Sequence, residues 1–243
     1  TPKLQARTHF MAMVDALDHE IGRLLEGIPP ETLERTQVIV LSDNGTASKA
    51  QYAERPLRLG KGSLYEDGIR VPMISAGPAV VGPARASSAL INTTDLFTTI
   101  HELLGASPAP EALDSVSFVG ELSGSSAAGR AWAFAERFQS EPPPSRWPAV
   151  DRYTVTDGRF KLTVDVLGDV MRLHDLSTDP QEHVNLLKGE ELPDETAEAR
   201  RVLEGVVQQS LNRAAVMAFR AAEDAPADTD ETADDESQQG DDR

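Results

Sequence analysis

The first part of the chain has a hydrophobic pattern of helical period. Between Thr8 and Ile28 the apolar side chains recur at spacings of three and four residues, which predicts an amphipathic helix. These side chains are Phe10, Met13, Val14, Leu17, Ile21, Leu24, Leu25 and Ile28. Gly27 and the pair Pro29-Pro30 close the pattern, so we expect the helix to end there.

A continuous apolar run follows this helix and indicates a strand. Residues 38–41 show no alternation, which is typical of a strand covered on both faces in the parallel sheet of an α/β protein. Residues 71–76 predict a second short strand. A helical period returns before Gly105, and we expect Thr93 or Thr94 to cap that helix.

From residue 131 onward the period becomes that of strands. Trp132, Phe134, Glu136 and Phe138 form one alternating set, which predicts a strand. Residues 153–156 and 159–164 flank the pair Asp157-Gly158, which favours a type I′ hairpin. Residues 170–176 predict a further strand and residues 195–222 a last helix. The expected inner face of that helix is Val202, Leu203, Val206, Val207 and Leu211.

These elements predict an α/β protein in which a partial doubly wound sheet precedes a small antiparallel sheet with a C-terminal helix. We place the α/β part at residues 1–130 and the antiparallel part with its helix at residues 131–222. Residues 223–243 are acidic and have little apolar surface to bury, so we expect a disordered tail.

Composition narrows the classes of function. The 243 residues are 40% apolar, enough for a sizeable core, and contain no apolar run of transmembrane length. The net charge is -17, and residues 223–243 carry ten acidic side chains and one basic one. This acidity argues against non-specific nucleic-acid binding. The chain has no cysteine, which excludes disulfides and thiolate chemistry within these residues; the oligomeric state is left open.

Asp43 and Asn44 follow directly after the first predicted strand. An Asn-Gly pair such as Asn44-Gly45 favours a tight hairpin turn. The alternative is that the carboxylate and the amide lie at the carboxyl end of a buried strand, where α/β folds bind ligands, and coordinate Ca²⁺ or Mg²⁺. The residues alone favour neither interpretation over the other.

Lys61 lies between two glycines. The spacing is not that of a P-loop, because Arg55 stands where the first glycine is required and Gly62 where Ser or Thr should follow the lysine. One interpretation is a flexible turn with a solvated lysine. The other is a lysine that approaches an oxyanion and stabilises charge in a transition state. No Gly-x-Ser-x-Gly motif or paired histidine spacing supplies a nucleophile or a second metal site.

Several short segments, in a fixed order along the chain, together carry a family resemblance. They are Leu17-Asp18, Ile21-Gly22-Arg23-Leu24-Leu25, Leu41-Ser42-Asp43-Asn44-Gly45, residues 60–72, Thr94-Asp95-Leu96-Phe97, Asp157-Gly158-Arg159-Phe160-Lys161-Leu162, Leu173-His174-Asp175-Leu176, Asp179-Pro180 and Asn185-Leu186. In this order they resemble the carboxyl-terminal half of the sulfatase family, in the alkaline-phosphatase superfamily. The fold that this implies is an alkaline-phosphatase-like α/β sheet.

The resemblance implies a hydrolase of sulfate esters that uses a divalent cation, usually Ca²⁺. Asp43 and Asn44 match family metal ligands, and Lys61 matches a lysine that contacts the sulfate group. Glu66 and Arg70 also match family positions, and we expect them to position the loop rather than to react. The implied substrate is a small molecule or glycan that carries a sulfate ester, and the family is often periplasmic or secreted.

The chain departs from the family pattern at the nucleophile. In the family this is a formylglycine made in a Cys/Ser-x-Pro-x-Arg motif of the amino-terminal half, and neither a cysteine nor a Ser-x-Pro-x-Arg motif is present here. We therefore expect a fragment that is inactive alone. The alternatives are a phosphodiesterase or phosphonate hydrolase of the same superfamily, and a non-catalytic binding or assembly module.

Overall fold

The computed structural model of the chain describes residues 2–51, 60–106, 114–125, 129–137, 152–165, 169–189 and 191–223. The described residues do not include the segment 52–59, Phe138 or the acidic tail beyond residue 223. The Cα positions group into two compact units, Thr1–Val207 and Gln208–Arg243. No described helix has the length and apolarity that crossing a membrane requires.

The first unit begins with an α/β part. Its elements are helix α1 (Pro2–Glu26), helix α2 (Pro30–Leu33), strand β1 (Val38–Leu41), helix α3 (Glu66–Ile69), strand β2 (Met73–Ala76), helix α4 (Asp95–Leu103) and helix α5 (Val119–Ser123). An antiparallel part follows. Its elements are strands β3 (Ala133–Arg137), β4 (Arg152–Thr156), β5 (Phe160–Asp165) and β6 (Val170–Asp175), a 3₁₀ turn (Leu186–Lys188) and helix α6 (Asp194–Glu223), whose residues from Gln208 onward belong to the second unit. The predicted helices and strands occur in the predicted order, whereas the short helices α2, α3 and α5 were not predicted.

The pairing of β1 differs from the prediction. β1 pairs antiparallel with β2, with Val38 opposite Ala76 and Leu41 opposite Met73, and the two form a two-stranded sheet. All four residues of β1 are half-buried, and Ile74 on β2 is 65% exposed. The unbroken apolar run predicts a strand covered on both faces in a parallel sheet, but within the described residues the strand that pairs with β1 is β2, which runs antiparallel to it. The prediction that β1 is buried on both faces in a parallel sheet is wrong for this chain.

Helix α1 is present where a helix was predicted, although it begins at Pro2 rather than Thr8, and much of its apolar stripe is exposed. Met13, Leu17 and Leu24 are 69%, 59% and 66% exposed. The periodicity of apolar residues therefore predicted the helix correctly and overstated its burial within this chain.

The core of the antiparallel part lies in its central strands. The sheet order is β3-β4-β5-β6, and each neighbouring pair is antiparallel. Val155, Leu162, Val164 and Leu173 are at most 1% exposed. On α6, Leu203 and Val207 are buried as predicted, whereas Val202 is 50% exposed.

The turn between β4 and β5 is not of type I′. The backbone N–H of Asp157 donates to the carbonyl of Phe160 at 3.2 Å, so Gly158 and Arg159 are the central residues. Gly158 has a φ of 97°, and Arg159 is not among the residues with positive φ. A type I′ turn requires positive φ at both central residues. The Asp157 carboxylate instead accepts hydrogen bonds from the backbone N–H groups of Arg159 and Phe160, at 2.9 and 2.7 Å, and these bonds close the turn.

The start of helix α4 is stabilised by its own first residue rather than by Thr93 or Thr94. No side-chain cap forms at Thr94. The carboxylate of Asp95, which is 1% exposed, accepts hydrogen bonds from the backbone N–H groups of Asn92 and Val116, both at 2.8 Å. The guanidinium of Arg130 donates to both carboxylate oxygens. This buried ion pair ties α4 to the segments on either side of it.

Candidate functional site

Strand β1 delivers the predicted metal ligands to a turn. The backbone N–H of Ser42 donates to the carbonyl of Pro72 at 3.3 Å, and the Ser42 hydroxyl donates to the carbonyl of Asn44 at 2.8 Å. These bonds fix the backbone on either side of Asp43. The Asp43 side chain is exposed and that of Asn44 is half-buried. The backbone after Asn44 hydrogen-bonds to residues 61 and 68, and β1 pairs with residues 73–76, so the two-residue hairpin that Asn-Gly favours does not form.

Two backbone hydrogen bonds join the turn to the segment that carries Lys61. The N–H of Gly45 donates to the carbonyl of Gly68 at 2.9 Å, and the N–H of Lys61 donates to the carbonyl of Thr46 at 3.0 Å. The structure thus brings together two segments that are separated in sequence and that both contain predicted site residues.

Glycine is required where these segments touch. A Cβ on Gly45 would lie 1.9 Å from the carbonyl oxygen of Asp67, and a Cβ on Gly60 would lie 2.2 Å from that of Thr46. Non-bonded atoms cannot approach so closely, so the two backbones pack this tightly only because neither residue has a side chain. Residues 42–46 and 60–70, which we call the site platform, therefore form one packed unit.

Lys61 extends from an open turn of the platform. Its side chain is exposed and makes no hydrogen bond or ion pair with the described residues. Gly62, next to it, has a φ of 83°, and a Cβ there would meet no atom within 4 Å. Arg70, at the other end of α3, is also exposed. The Lys61 ammonium is thus a cation at the surface of the platform, available to an anionic group.

Glu66, the first residue of α3, is contacted by residues of the antiparallel part. Its carboxylate lies 2.8 Å from the ammonium of Lys161 on β5. The same ammonium lies 3.0 Å from the carboxylate of Glu182, and the second oxygen of Glu182 accepts the backbone N–H of Glu66 at 2.5 Å. Lys161 is 0% exposed. Glu66 therefore has partners in the antiparallel part for both its side chain and its backbone, and its positioning role stays a prediction.

Sequence reasoning did not identify Lys161 or Glu182. For Lys161 the sequence pattern is misleading: Phe160, Leu162 and Val164 alternate with Lys161 and Thr163, which favours a solvated lysine, whereas residues 160–164 are all buried in the structure. A buried lysine needs a charged partner. Glu182 has no signal in the sequence. It is a non-glycine residue with a φ of 56°, which places its carboxylate beside α3 but cannot be read from sequence.

Two further side chains of β6 face the platform. His174 lies opposite Lys161 in the sheet register, and its ring centroid lies 6.5 Å from that of Tyr65. The guanidinium of Arg172 lies 4.8 Å from the centre of the Tyr65 ring. Burial lowers the pKa of His174, although the nearby Glu182 acts in the opposite direction. Burial also lowers the pKa of Arg172. His174 is 2% exposed, and its burial favours the neutral imidazole over the charged form.

The donors on the platform fit part of a calcium site. Asp43 and Asn44 offer a carboxylate and an amide oxygen, the ligand types that Ca²⁺ and Mg²⁺ prefer. Ca²⁺ takes about six to eight oxygen ligands. Within the part of the chain that the structure describes, no group of three or more His, Cys, Asp or Glu side chains is placed to hold a metal. These residues would therefore supply only a share of the ligands.

Comparison with protein families identifies the chain. A family model described as sulfatase matches residues 1–106, and one described as N-sulphoglucosamine sulphohydrolase, C-terminal, matches residues 59–209. The second match covers more than half of the chain. The chain belongs to the sulfatase family. The family resemblance inferred from the ordered segments is thereby confirmed.

Curated sulfatases are similar to this chain over only part of their own length. A sulfatase of Formosa agariphila is 30% identical over 197 residues, which cover 73% of this chain and 35% of that protein. Arylsulfatase A of Homo sapiens is 28% identical over 198 residues, which cover 71% of this chain and 38% of that protein. This sulfatase-family chain thus spans little more than a third of these relatives.

Solved structures confirm the fold class. A protein solved in complex with its substrate D-glucosamine-2-N,6-O-disulfate matches with a TM-score of 0.64 and 23% identity, over 82% of this chain and 40% of that one. The phosphonate monoester hydrolase of Silicibacter pomeroyi matches with a TM-score of 0.63 and 24% identity, over 80% and 38%. At these identities the likeness shows the fold alone, and that fold is the expected alkaline-phosphatase-like α/β fold followed by a small antiparallel sheet.

Proposed function

We propose that this chain forms one wall of a calcium-dependent site for the hydrolysis of sulfate esters, with Asp43, Asn44 and Lys61 as its contacts. The observation that carries the proposal is the pair of backbone hydrogen bonds from Gly45 and Lys61, which joins two candidate segments in a chain of the sulfatase family. A carboxylate, an amide and a free ammonium on one platform suit a metal and a sulfate group.

Lys61 contacts the sulfate group in this proposal. When the ester bond breaks, negative charge develops on the departing oxygen, and an ammonium that is already in place stabilises that charge without reorganisation. The exposed, unpaired side chain and the open turn at Gly62 support this role. Glu66 and Arg70 position the loop rather than react, which agrees with the contact between Glu66 and Lys161.

Asp43 and Asn44 hold the cation in this proposal. A bound Ca²⁺, or Mg²⁺ as the alternative, would offset the negative charge of the sulfate oxygens. The remaining oxygen ligands and the formylglycine nucleophile of the family come from outside these 243 residues, which contain neither cysteine nor a Ser-x-Pro-x-Arg motif. We accordingly propose that these residues alone do not turn over.

The proposed substrate is a sulfate ester of a small molecule or a glycan. Two observations support this class: a relative in Bacteroides thetaiotaomicron is named N-acetylgalactosamine-6-O-sulfatase, and one structural neighbour was solved with D-glucosamine-2-N,6-O-disulfate as its substrate. The likeness to a phosphonate monoester hydrolase keeps a phosphonate ester as the second candidate. Sulfate and phosphonate groups are both tetrahedral, so Lys61 does not separate them.

The test is hydrolysis of 4-nitrophenyl sulfate and of a 4-nitrophenyl phosphonate by the protein expressed from its complete gene. We expect the sulfate to be the better substrate. Replacement of Lys61 by alanine should lower kcat by about 10²- to 10³-fold, as loss of one charge-stabilising donor does. Lys49→Ala, which removes another exposed lysine, is the matched control and should change kcat by less than about twofold.

Three other results of this assay would change the proposal. Full activity of Lys61→Ala would contradict the role of Lys61, and a preference for the phosphonate would favour the second candidate. If the wild-type protein hydrolyses neither ester, the non-catalytic binding or assembly module is the better description. The 243-residue chain assayed alone should show no turnover.

A further inference from the structure

We infer that Lys161, carried by the antiparallel sheet, is a positioning residue for the loop that presents Lys61, with Glu182 as its partner. This inference rests on the proposed function only in taking Lys61 as the sulfate contact. On this inference the antiparallel sheet β3–β6 supports the substrate site, although none of its strands carries a predicted metal ligand or sulfate contact.

The contacts among three residues form a closed ring. Lys161 pairs with the carboxylates of Glu66 and Glu182 at 2.8 and 3.0 Å, and Glu182 accepts the backbone N–H of Glu66 at 2.5 Å. Glu66 is therefore held at both its side chain and its backbone. Because Glu66 begins α3, Glu182 also satisfies an N–H that has no partner within that helix.

The burial of this ring makes its parts depend on one another. The side chains of Lys161 and Glu182 are 0% and 3% exposed, and that of Glu66 is 15% exposed. A buried charge is tolerated when it is paired, and removal of one partner leaves the others uncompensated. Without the ammonium, two carboxylates would face each other at short range and repel. We expect Glu66 then to move away from the sheet.

Movement of Glu66 would reach Lys61 through the backbone. Gly68, two residues after Glu66, is packed so closely that a Cβ would lie 2.3 Å from the carbonyl oxygen of Ser63 and 2.7 Å from that of Gly60. Gly60 and Ser63 flank Lys61 and Gly62. The turn that carries Lys61 therefore rests directly on α3, and a shift of α3 cannot occur without a shift of that turn.

The sheet itself does not depend on the Lys161 charge for its core. Leu162, Val164 and Leu173 are apolar and at most 1% exposed, so their own burial requires no ion pair. Methionine has an unbranched side chain of similar length to the lysine stem, so Lys161→Met removes both ion pairs and keeps most of the volume. This substitution separates the positioning of α3 from the folding of the sheet.

The experiment is hydrogen–deuterium exchange of the protein expressed from its complete gene, resolved by peptide. The readout is the exchange of the Gly68, Ile69 and Arg70 amides, which are hydrogen-bonded within α3 and its cap, against that of the β4–β5 hairpin. In Lys161→Met we expect exchange at α3 to rise about tenfold while the hairpin is unchanged. Lys161→Arg keeps a cation that can bridge two carboxylates and should restore part of the protection.

A second variant keeps the inference falsifiable if Lys161→Met does not fold. Glu66→Gln acts from the loop side and leaves the pair of Lys161 with Glu182 in the sheet, and it should raise exchange at α3 in the same way. Unchanged exchange at α3 in either folded variant would overturn the inference. An equal rise at α3 and at the hairpin would also overturn it, because it would show a general loss of stability.

A kinetic readout connects the inference to the site and separates it from the proposed function. In the protein expressed from its complete gene, Lys161→Met should lower kcat for 4-nitrophenyl sulfate at least about tenfold, with a smaller change in KM, because displaced Lys61 loses its transition-state contact. If Lys61→Ala leaves hydrolysis unchanged, the proposed function fails while the exchange result still decides the role of Lys161.

Discussion

The close packing of the site platform predicts that Gly45→Ala destabilises the chain. The added Cβ would lie 1.9 Å from the carbonyl oxygen of Asp67, 2.7 Å from its carbonyl carbon and 2.8 Å from the Cα of Gly68. All three atoms belong to backbone, so no side chain can rotate away. The turn and α3 must separate, and the hydrogen bond from Gly45 to Gly68 is lost with them.

The magnitude follows from these two effects. Overpacking of a close contact costs about 1–3 kcal/mol. Loss of one hydrogen bond adds roughly 0.5–1.5 kcal/mol. Together they lower the free energy of unfolding by about 1.5–4.5 kcal/mol, which corresponds to a fall in Tm of roughly 3–18 °C for a chain of this size.

The assay is thermal unfolding followed by circular dichroism, with Gly22→Ala as the control. Gly22 lies in α1, where a Cβ would meet no atom within 4 Å. Alanine there should raise the free energy of unfolding by about 0.5–1 kcal/mol, because it favours the helix. A Tm for Gly45→Ala within about 1 °C of wild type would refute the packing argument.

Two further predictions concern buried charged and titratable groups. His174 has a lowered pKa in the folded state, so the unfolded state binds more protons below pH 6.5, and stability should fall as pH decreases through that range. His174→Leu should reduce the slope of unfolding free energy against pH by up to about 1.4 kcal/mol per pH unit. The control His183→Gln, which replaces an exposed histidine, should keep the wild-type slope. Identical slopes for the two variants in urea unfolding would contradict this prediction. Asp95→Ala leaves the guanidinium of Arg130, whose side chain is 6% exposed, without its buried partner, and should cost about 3–5 kcal/mol in urea unfolding. A loss below about 1 kcal/mol would show that this pair does not stabilise the fold.

The order and type of the elements could be predicted from the sequence because period is a local property. The helical spacing of α1 and the alternation around Phe134 each lie within one short window of sequence. Strand pairing is not local. The partner of β1 lies more than thirty residues away in β2. An apolar run indicates that a strand is covered, but it does not identify the element that covers it. The proposed domain boundaries at residues 130 and 222 stay a prediction.

Some residues of the candidate site could likewise be predicted from local sequence, and others could not. Asp43, Asn44 and Lys61 lie in segments whose turn residues are visible in the sequence, and the resemblance to sulfatases indicated roles for them. Lys161 and Glu182 act across 95 and 116 residues of sequence from Glu66, a distance that only the folded chain closes. The prediction that Thr93 or Thr94 caps α4 was wrong for a similar reason. The carboxylate of Asp95 accepts the backbone N–H of Val116, and this tertiary contact cannot be read from the local sequence.

The central claim is that Asp43 holds the cation of a sulfatase site, and the calcium dependence of hydrolysis tests it most directly. The rate of 4-nitrophenyl sulfate hydrolysis would be measured against Ca²⁺ concentration for the protein expressed from its complete gene, for Asp43→Ala and for Asp18→Ala, an exposed residue of α1. We predict that Asp43→Ala needs at least about tenfold more Ca²⁺ for its half-maximal rate, since the number of charged ligands sets calcium affinity. Asp18→Ala should match the wild type. The same calcium dependence in all three proteins, or hydrolysis that persists after the metal is chelated, would contradict the claim.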